Sequence, residues 1–187
     1  MSNRNSASKS LFTYPPHQIA FIERGEHSLT YMLSKPETTS LSVTITATTH
    51  QALIVHGDVQ PVVFQYGPHD FDERIHWLYS KECDHYVLEK ASIGMGGREH
   101  LLTWDEEKAK SDIKDLAEEV EEGGDADDVL EVLDHVEDGY DAVIRELYDL
   151  QFDAESLCNL GLVYSQRLLY AHAAICWLNE LLLTVKE

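Results

Sequence analysis

The sequence contains few basic residues. Its 187 residues include 14 Lys+Arg against 34 Asp+Glu, which gives a formal net charge of -20 at pH 7. Proteins that bind a nucleic-acid backbone carry basic patches, because their affinity comes largely from phosphate contacts. The scarcity of positive charge therefore argues against direct nucleic-acid binding and, for the same reason, against binding to anionic membranes. A basic protein or nucleoprotein suits such a chain as a partner.

Cysteines and long apolar runs are also scarce. Three cysteines stand at wide spacing: Cys83, Cys158 and Cys176. This odd number predicts reduced thiols in a cytoplasmic protein. The longest apolar run, residues 168–178, includes His172 and is shorter than the ~20 residues of a membrane helix. The start, MSNRNSASKS, lacks the apolar stretch of a signal peptide, and residues 1–10 are predicted to be a flexible tail.

Signatures of catalysis and of metal binding are missing. The GMGG turn at 94–97 lacks the lysine and Ser/Thr of a phosphate loop, and no nucleophile elbow is present. A His/Cys cluster matches no familiar zinc spacing: His69, His76, Cys83 and His85. His56 and Asp58 flank a glycine and could form an acid–base pair, but a strand followed by a polar turn explains them equally well. No catalytic residue, metal or cofactor is predicted.

The acidic residues are concentrated in one part of the chain. Residues 1–104 have a net charge of -3, residues 105–155 contain 21 acids and 4 bases, and residues 156–187 are neutral. The hydrophobic periodicity changes at the same place. We therefore predict an α+β fold with a flexible tail, a β-rich subdomain and an acidic helical subdomain, at 1–10, 11–103 and 104–187.

The first half alternates as strands do. Apolar residues repeat every second position in HSLTYMLSK (Leu29, Tyr31, Leu33) and in SLSVTITATTH (Leu41, Val43, Ile45),. The segments ALIVHGD and QPVVFQYG add two short strands, so an antiparallel meander of about four strands is expected. FDERIHWLYS predicts a short helix that buries Phe71, Ile75 and Leu78. HYVLEKAS fits a strand or a helix.

The second half follows helical periodicity. Thr103 and Glu106 match a capping box at a helix start, and Gly123-Gly124 is expected to end that helix. Seven apolar residues then repeat at alternating spacings of four and three, which predicts one helix with a buried seam: Val129, Leu133, Val136, Tyr140, Val143, Leu147 and Leu150. A third, nearly all-apolar helix is expected from 157 to 185, in a bundle or at a subunit contact.

The acidic stretch 115–141 holds thirteen acids in twenty-seven residues without a lysine or arginine. On the heptad of the second helix its carboxylates take the positions farthest from the apolar seam, which predicts an exposed acidic face. The candidate partner-binding residues are Glu118, Glu119, Glu121, Glu122, Asp127, Glu131, Asp134, Asp138 and Asp141. An EF-hand is excluded, because counting from Asp125 places Val136 where glutamate is required.

Two interpretations of this face stay open. A solvated face needs no partner, but such faces usually mix signs and use i,i+4 Glu–Lys pairs. Carboxylates spaced about 5 Å apart on a helix rising ~1.5 Å per residue give roughly a third of the charge density of duplex DNA. A neighbouring acidic helix would raise that density, enough to attract a DNA-binding groove.

The middle of the chain contains four short motifs: a Gly-Asp turn (Gly57-Asp58), an apolar strand (62–64), an aromatic helix residue (Trp77) and a Tyr-x-x-x-Lys segment (86–90). In these motifs it resembles a family of small bacteriophage and prophage proteins. The resemblance covers about residues 27–115 and implies a phage origin and no catalytic residues.

Three functions follow as hypotheses. The first is a non-enzymatic phage inhibitor of a host nucleic-acid-binding defence complex, of the anti-CRISPR or anti-restriction kind, which acts in the host bacterial cytosol as an acidic DNA mimic. The second is a helical interaction or oligomerisation module, with a homodimer formed through residues 129–185. The third is a metal-dependent enzyme built around His56, Asp58, His69, His76, Cys83 and His85.

Overall fold

The chain divides into two compact units. The computed structural model describes residues 18–37, 42–57, 60–79, 83, 85–120, 126–157 and 159–184. Among these, the residues up to Leu101 and those from Ser165 onward form unit 1, and Leu102–Tyr164 form unit 2. Unit 2 is therefore an insertion into the chain of unit 1. The predicted tail 1–10, Leu41, Asp58, Cys158 and the pair Gly123-Gly124 lie outside the described residues.

Unit 1 contains a five-stranded antiparallel sheet, so the predicted α+β class is confirmed. Its strands are β1 (Gln18–Arg24), β2 (Ser28–Ser34), β3 (Val43–Thr48), β4 (Leu53–Gly57) and β5 (Val62–Phe64), and they lie in chain order. The sheet has one more strand than the meander predicted from the sequence. The additional strand, β1, was missed because its side chains are almost all exposed and show no alternation.

One face of this sheet forms the core of unit 1. Leu29, Tyr31 and Leu33 are buried on β2, as predicted, and Val43 and Ile45 are buried on β3. Antiparallel pairing places Tyr31 beside Ile45, so the buried positions of neighbouring strands fall on the same face,. The alternation read from the sequence therefore identified the core face correctly.

The helices and the second, small sheet follow in chain order. The helices are α1 (Phe71–Trp77), α2 (His85–Met95), α3 (Glu106–Glu119), α4 (Ala126–Glu131), α5 (Tyr140–Asp149), α6 (Ala154–Leu157) and α7 (Gln166–Thr184), with a 3₁₀ segment (Val132–Asp138) between α4 and α5. Strands β6 (Leu102–Trp104) and β7 (Leu162–Tyr164) pair antiparallel. No helix in the described ranges is long and apolar enough to cross a membrane.

Helix α1 begins as its sequence indicates. The Asp70 carboxylate caps it by accepting hydrogen bonds from the backbone N–H groups of Asp72 and Glu73, at 2.8 and 2.9 Å,. Ile75 and Leu78 are buried as predicted, whereas Phe71 is half-buried. The ambiguous segment HYVLEKAS is helical and lies in α2, which also includes the first two residues of GMGG.

Helix α7 belongs to unit 1 and contacts the strands and α1. The sequence predicted one helix from 157 to 185 within the acidic subdomain. Instead, Gly161 adopts a φ of +64° and strand β7 follows it, so the long helix begins at Gln166. Because Leu168, Ile175 and Leu178 are buried against the β-rich part, the observed division differs from the predicted 104–187 subdomain.

The start of unit 2 also differs from the prediction. Thr103 lies in β6 and pairs with Val163, so it does not cap a helix. The N-cap of α3 is Asp105, whose carboxylate accepts a 2.8 Å hydrogen bond from the Lys108 backbone N–H. The capping-box prediction is therefore wrong, because the chain is still extended at Thr103.

The predicted second helix is broken into three pieces. After α4 the chain tightens into the 3₁₀ segment and then passes Gly139, at a φ of +93° and a ψ of -177°, before α5 begins. Almost only glycine adopts this backbone region. The apolar seam is nevertheless inside, since its seven residues are all buried or half-buried. Burial was predicted correctly and helical continuity was not.

The core of unit 2 forms within that unit. Its buried side chains come from α3 to α6 and the loop that follows: Ala109, Ile113, Ala117, Val129, Val132, Val136, Val143, Leu147, Leu157 and Leu160. Of the 129–185 surface predicted to form a homodimer, Val129, Val132, Val136, Val143, Leu147, Leu157 and Leu160 are thus buried by residues of the same unit.

Candidate acidic binding surface

The candidate carboxylates lie on the outer sides of α3, α4, the 3₁₀ segment and α5. Each of these elements contributes at least one buried valine, isoleucine, leucine or alanine to the core of unit 2, and the candidate carboxylates lie at other positions, in solvent. We define the acidic surface by the described members of the predicted set, all of which are exposed: Glu118, Glu119, Asp127, Glu131, Asp134, Asp138 and Asp141. Glu121 and Glu122 lie outside the described residues.

Ion pairing is sparse on the acidic surface. Within the described part of the chain, only Asp138 of this set has an ion-pair contact, with His135 Nδ1 at 3.5 Å from its Oδ2. The lysine contacts of unit 2 lie instead in the first half of α3, where Lys108 pairs with Asp112 and Lys110 with Glu107. The carboxylates of the acidic surface therefore face solvent with little internal compensation.

The electrostatic environment of α3 is unfavourable at one end. Glu118 and Glu119 occupy its last turn, where the helix dipole favours cations, and this turn contains no basic residue,. By contrast, Asp141 lies in the first turn of α5, where a negative charge is favoured,. The acidic charge of unit 2 is thus not explained by helix stability alone.

The negative potential also acts on the cations of unit 2. The pKa of Lys110 is raised, first by its hydrogen bond to Glu107 and then by the charges of Glu107, Glu106 and Glu137. Glu137 lies on the 3₁₀ segment, so a carboxylate of that segment contributes to the raised pKa of a lysine on α3.

A small group of residues fixes the 3₁₀ segment in place. Trp104 Nε1 donates a 3.3 Å hydrogen bond to the Val136 carbonyl, and the indole packs edge-on against Tyr140, with 5.8 Å between ring centroids. Gly161 passes so close to Trp104 that a Cβ there would lie 2.2 Å from the ring. The Asp112 carboxylate accepts a 2.8 Å hydrogen bond from the Gly161 N–H and pairs with Lys108. No pattern in the sequence indicated this group, because its members lie far apart along the chain.

The histidine and cysteine candidates are not brought together. Among the described residues, no three His, Cys, Asp or Glu side chains are grouped as metal ligands would be. His69 is exposed beside Gln51, whose Nε2 lies 2.9 Å from His69 Nδ1. Cys83 is buried, while His56 and His85 are exposed.

A buried polar group on α7 was not found from the sequence. Asn179 Nδ2 donates to the Ile75 carbonyl at 2.8 Å, and His172 Nε2 lies 3.2 Å from the Leu78 carbonyl. Cys176 Sγ lies 3.8 Å from His172 Nε2. A Cys/His/Asn set can serve nucleophilic catalysis, but here the three residues are 8%, 1% and 0% exposed,. Asn179 and His172 contact backbone carbonyls at the end of α1. The spacing of four and three residues along one helix face was the available signal.

Arg74 is a second buried polar residue outside the acidic surface. Its guanidinium donates to the backbone carbonyls of Pro68 and Thr48, and to that of His69 at 2.9 Å. Burial lowers the pKa of this group, which the nearby Asp70 partly offsets. Arg74 thus ties α1 to the loop before it and to the end of β3.

Comparisons with known proteins identified no relative of this chain. A scan against protein-family models and searches of curated proteins and of solved structures found no match. The resemblance to small phage proteins therefore stays a prediction from the quoted motifs.

Proposed function

We propose that unit 2 binds a basic surface of a nucleic-acid-binding protein and that the chain is a phage-encoded, non-enzymatic inhibitor of a host defence complex. In this proposal the inhibitor is of the anti-CRISPR or anti-restriction kind and acts in the bacterial cytoplasm. The observation that carries the proposal is the exposure of all seven carboxylates of the acidic surface, in a stretch without lysine or arginine between Lys114 and Arg145.

The arrangement of charge supports binding over simple solvation. Unit 2 contains 21 acidic and 4 basic residues, whereas the rest of the chain contains 13 and 10. Neighbouring carboxylates repel one another, and two of them stand against the dipole of α3,. Solubility alone does not require that the negative charge of the chain be concentrated in unit 2. A basic partner would remove the repulsion, because its cations supply the counter-charges missing from the unit.

The break of the predicted helix changes the form of the proposed DNA mimicry. A single straight helix would present carboxylates in one line. In the structure they lie on α3, α4, the 3₁₀ segment and α5, so the negative charge is spread over several elements. Duplex DNA presents phosphates on two strands, and a groove that binds it carries basic residues over an area. A distributed acidic surface therefore suits such a groove better than one line.

The phage assignment rests on the motif resemblance over residues 27–115. Most of that range belongs to unit 1, and it ends where the acidic stretch begins. In this proposal, unit 1 supplies the scaffold implied by the resemblance, and unit 2 supplies the inhibitory surface.

A pull-down with matched charge variants tests the proposal. The purified protein is incubated with bacterial lysate and eluted with a salt gradient, and the eluted protein is assayed for nucleic-acid binding with and without the inhibitor. The triple variant Asp127→Lys, Glu131→Lys, Asp134→Lys is expected to bind about tenfold or more weakly, since each exposed charge contributes up to ~1 kcal/mol.

The control is an equal charge change in unit 1: Glu37→Lys, Glu73→Lys and Glu99→Lys, at exposed positions. It should retain binding and inhibition. Equal losses in both triple variants would show a response to net charge only and would contradict a specific surface. Capture that does not weaken with salt would also contradict it.

A further inference from the structure

The two edges of the sheet in unit 1 differ in their protection. At the β5 edge, the backbone N–H of Gln65 donates a 3.0 Å hydrogen bond to the Lys90 carbonyl of α2. Gly94 of α2 lies so close that a Cβ there would be 1.9 Å from the Val63 carbonyl oxygen. Helix α2 therefore covers this edge. At the opposite edge, β1 pairs with β2 alone among the described strands.

The open edge carries exposed apolar side chains on both faces. Phe21 is 49% exposed and Ile22 is 55% exposed. Register places Ile22 across from Tyr31 on the core face and Phe21 across from Met32 on the other face. A β-bulge lies between Ile19 and Phe21, but Phe21 to Arg24 pair without interruption. Natural sheets shield long apolar edges, so this regular stretch, which no described strand pairs on its outer side, indicates a place where a further strand is added,.

The charges at this edge select the kind of strand. Arg24 is held by Asp72, with two contacts of 2.7 and 2.8 Å, which raise the pKa of the guanidinium. Glu23 is exposed and has no ion-pair partner among the described residues, and Glu26 follows in the turn with only His27 nearby. The uncompensated charge of the edge is therefore negative.

We propose that β1 accepts an extended basic segment of a partner protein as a sixth strand. Because alternate side chains of a strand point to opposite faces, the segment would place an apolar side chain beside Ile22 and a lysine or arginine beside Glu23. A second copy of this chain is a poor occupant, since it brings another -20 charge and the same exposed glutamates,. This surface lies in unit 1 and does not depend on the proposed function of unit 2.

A short peptide tests this surface directly. The probe is an acetylated and amidated eight-residue peptide of alternating lysine and valine, titrated at 0.15 M salt into the full chain. Amide hydrogen exchange, resolved by residue, is expected to slow about tenfold at outward N–H groups within Phe21–Arg24. A peptide N-methylated at alternate amides keeps the charge but cannot pair along one edge, and it should give no protection.

Matched variants separate edge pairing from general attraction to an acidic protein. Glu23→Lys is expected to weaken peptide binding at β1 about fivefold, whereas Glu99→Lys, the same charge change elsewhere in unit 1, should change it less than twofold. In the triple variant Asp127→Lys, Glu131→Lys, Asp134→Lys, protection at β1 should persist. A failure of the acidic surface is thus distinguishable from a failure of this edge.

Three results would overturn the proposal. Absence of slowed exchange within Phe21–Arg24 at saturating peptide would show that the edge does not accept a strand. Protection from exchange that increases with protein concentration and does not depend on the peptide would show that a second copy of the chain binds this edge. If the peptide protects β1 only after residues 1–17 are removed, those residues of the chain itself occupy the edge.

Discussion

Individual glycines show where the backbone leaves no room for a side chain. Gly94 approaches the carbonyl of Val63, and Gly161 combines a left-handed φ with contact to the Trp104 ring. Gly96, in contrast, has a positive φ but open space around it. The first two positions require glycine for close packing, so they are as restrictive as buried leucines.

Gly94→Ala should destabilise unit 1. Alanine normally stabilises a helix relative to glycine by ~1 kcal/mol, but a Cβ 1.9 Å from a backbone oxygen forces α2 away from β5,. We expect the free energy of unfolding to fall by about 1–3 kcal/mol, measured by denaturant titration. Gly25→Ala is the control, since its Cβ would meet only ordinary 3.8 Å contacts and should change stability by less than ~0.5 kcal/mol,. A gain in stability for Gly94→Ala would contradict the close approach.

Asn179 is a second residue with a specific role. Its Nδ2 donates to the carbonyls of Ile75 and Ile175, while its Oδ1 is buried without a hydrogen-bond partner in the structure. Asn179→Leu removes these hydrogen bonds, but it also removes the unpaired oxygen. The free energy of unfolding should therefore fall by less than the loss of a buried hydrogen bond alone would cause.

Asn179→Asp should be more harmful. The carboxylate is acceptor-only when ionised and would face two carbonyl oxygens, so we expect a loss of about 3 kcal/mol or more at pH 7. Equilibrium unfolding should show that the wild type is the most stable, the leucine variant less stable and the aspartate variant the least stable. An aspartate variant as stable as the leucine variant would show that water reaches this site.

At the scale of elements, periodicity predicted burial better than it predicted shape. The seven seam positions from Val129 to Leu150 are inside, as their spacing of 3.5 residues required. Their helix is interrupted because the segment before Gly139 tightens to 3₁₀ geometry and also buries Val132, which lies off the predicted seam. Only Gly139 marked the break in the sequence, and a single glycine in a helical pattern does not specify it. Strand β1 escaped prediction for the opposite reason, since an exposed edge has no alternation.

Gly139→Ala should weaken the corner between the 3₁₀ segment and α5. No atom lies within 4 Å of an added Cβ, so the cost comes from the backbone alone. A residue held in this glycine-only region loses about 1–3 kcal/mol. Thermal unfolding should report the loss, and the same substitution at Gly25, whose φ is not positive, serves as the reference. An unchanged melting temperature would indicate that the chain can continue as one helix.

The last turn of α3 can be tested through its charge. Glu119→Lys replaces an acid that opposes the helix dipole with a base that favours it, so we expect a gain of about 0.3–1 kcal/mol at low salt. The gain should shrink as salt rises, because screening weakens exposed charges. Lys114→Glu is the reverse change nearby and should lower stability. Equal stability of both variants at low salt would remove the electrostatic account of this turn.

At the scale of the molecule, unit 1 should fold without unit 2. The Ser165 N–H donates a 2.8 Å hydrogen bond to the Leu101 carbonyl, so the two ends of the insertion lie side by side. Replacing residues 102–164 with a short Gly/Ser linker should leave a folded, strand-containing protein by circular dichroism. Loss of cooperative unfolding in that variant would show that the sheet and α7 need unit 2.

The intact chain should be a monomer at micromolar concentration. The buried apolar residues of the 129–150 seam and of α7, such as Val136, Leu147 and Leu178, pack within their own units, so a dimer formed through them would have to open a core. Light scattering should give the mass of one chain, 21.3 kDa. A stable dimer that dissociates when Glu23 is replaced by lysine (Glu23→Lys) would indicate an interface at the edge of β1 instead.

The attachment of unit 2 at one pair of neighbouring residues also has an evolutionary consequence. Because the chain leaves the sheet unit at Leu101 and returns at Ser165, recombination can exchange the inserted segment without altering any strand pairing in the host sheet. Such an exchange would replace the acidic surface and keep the scaffold.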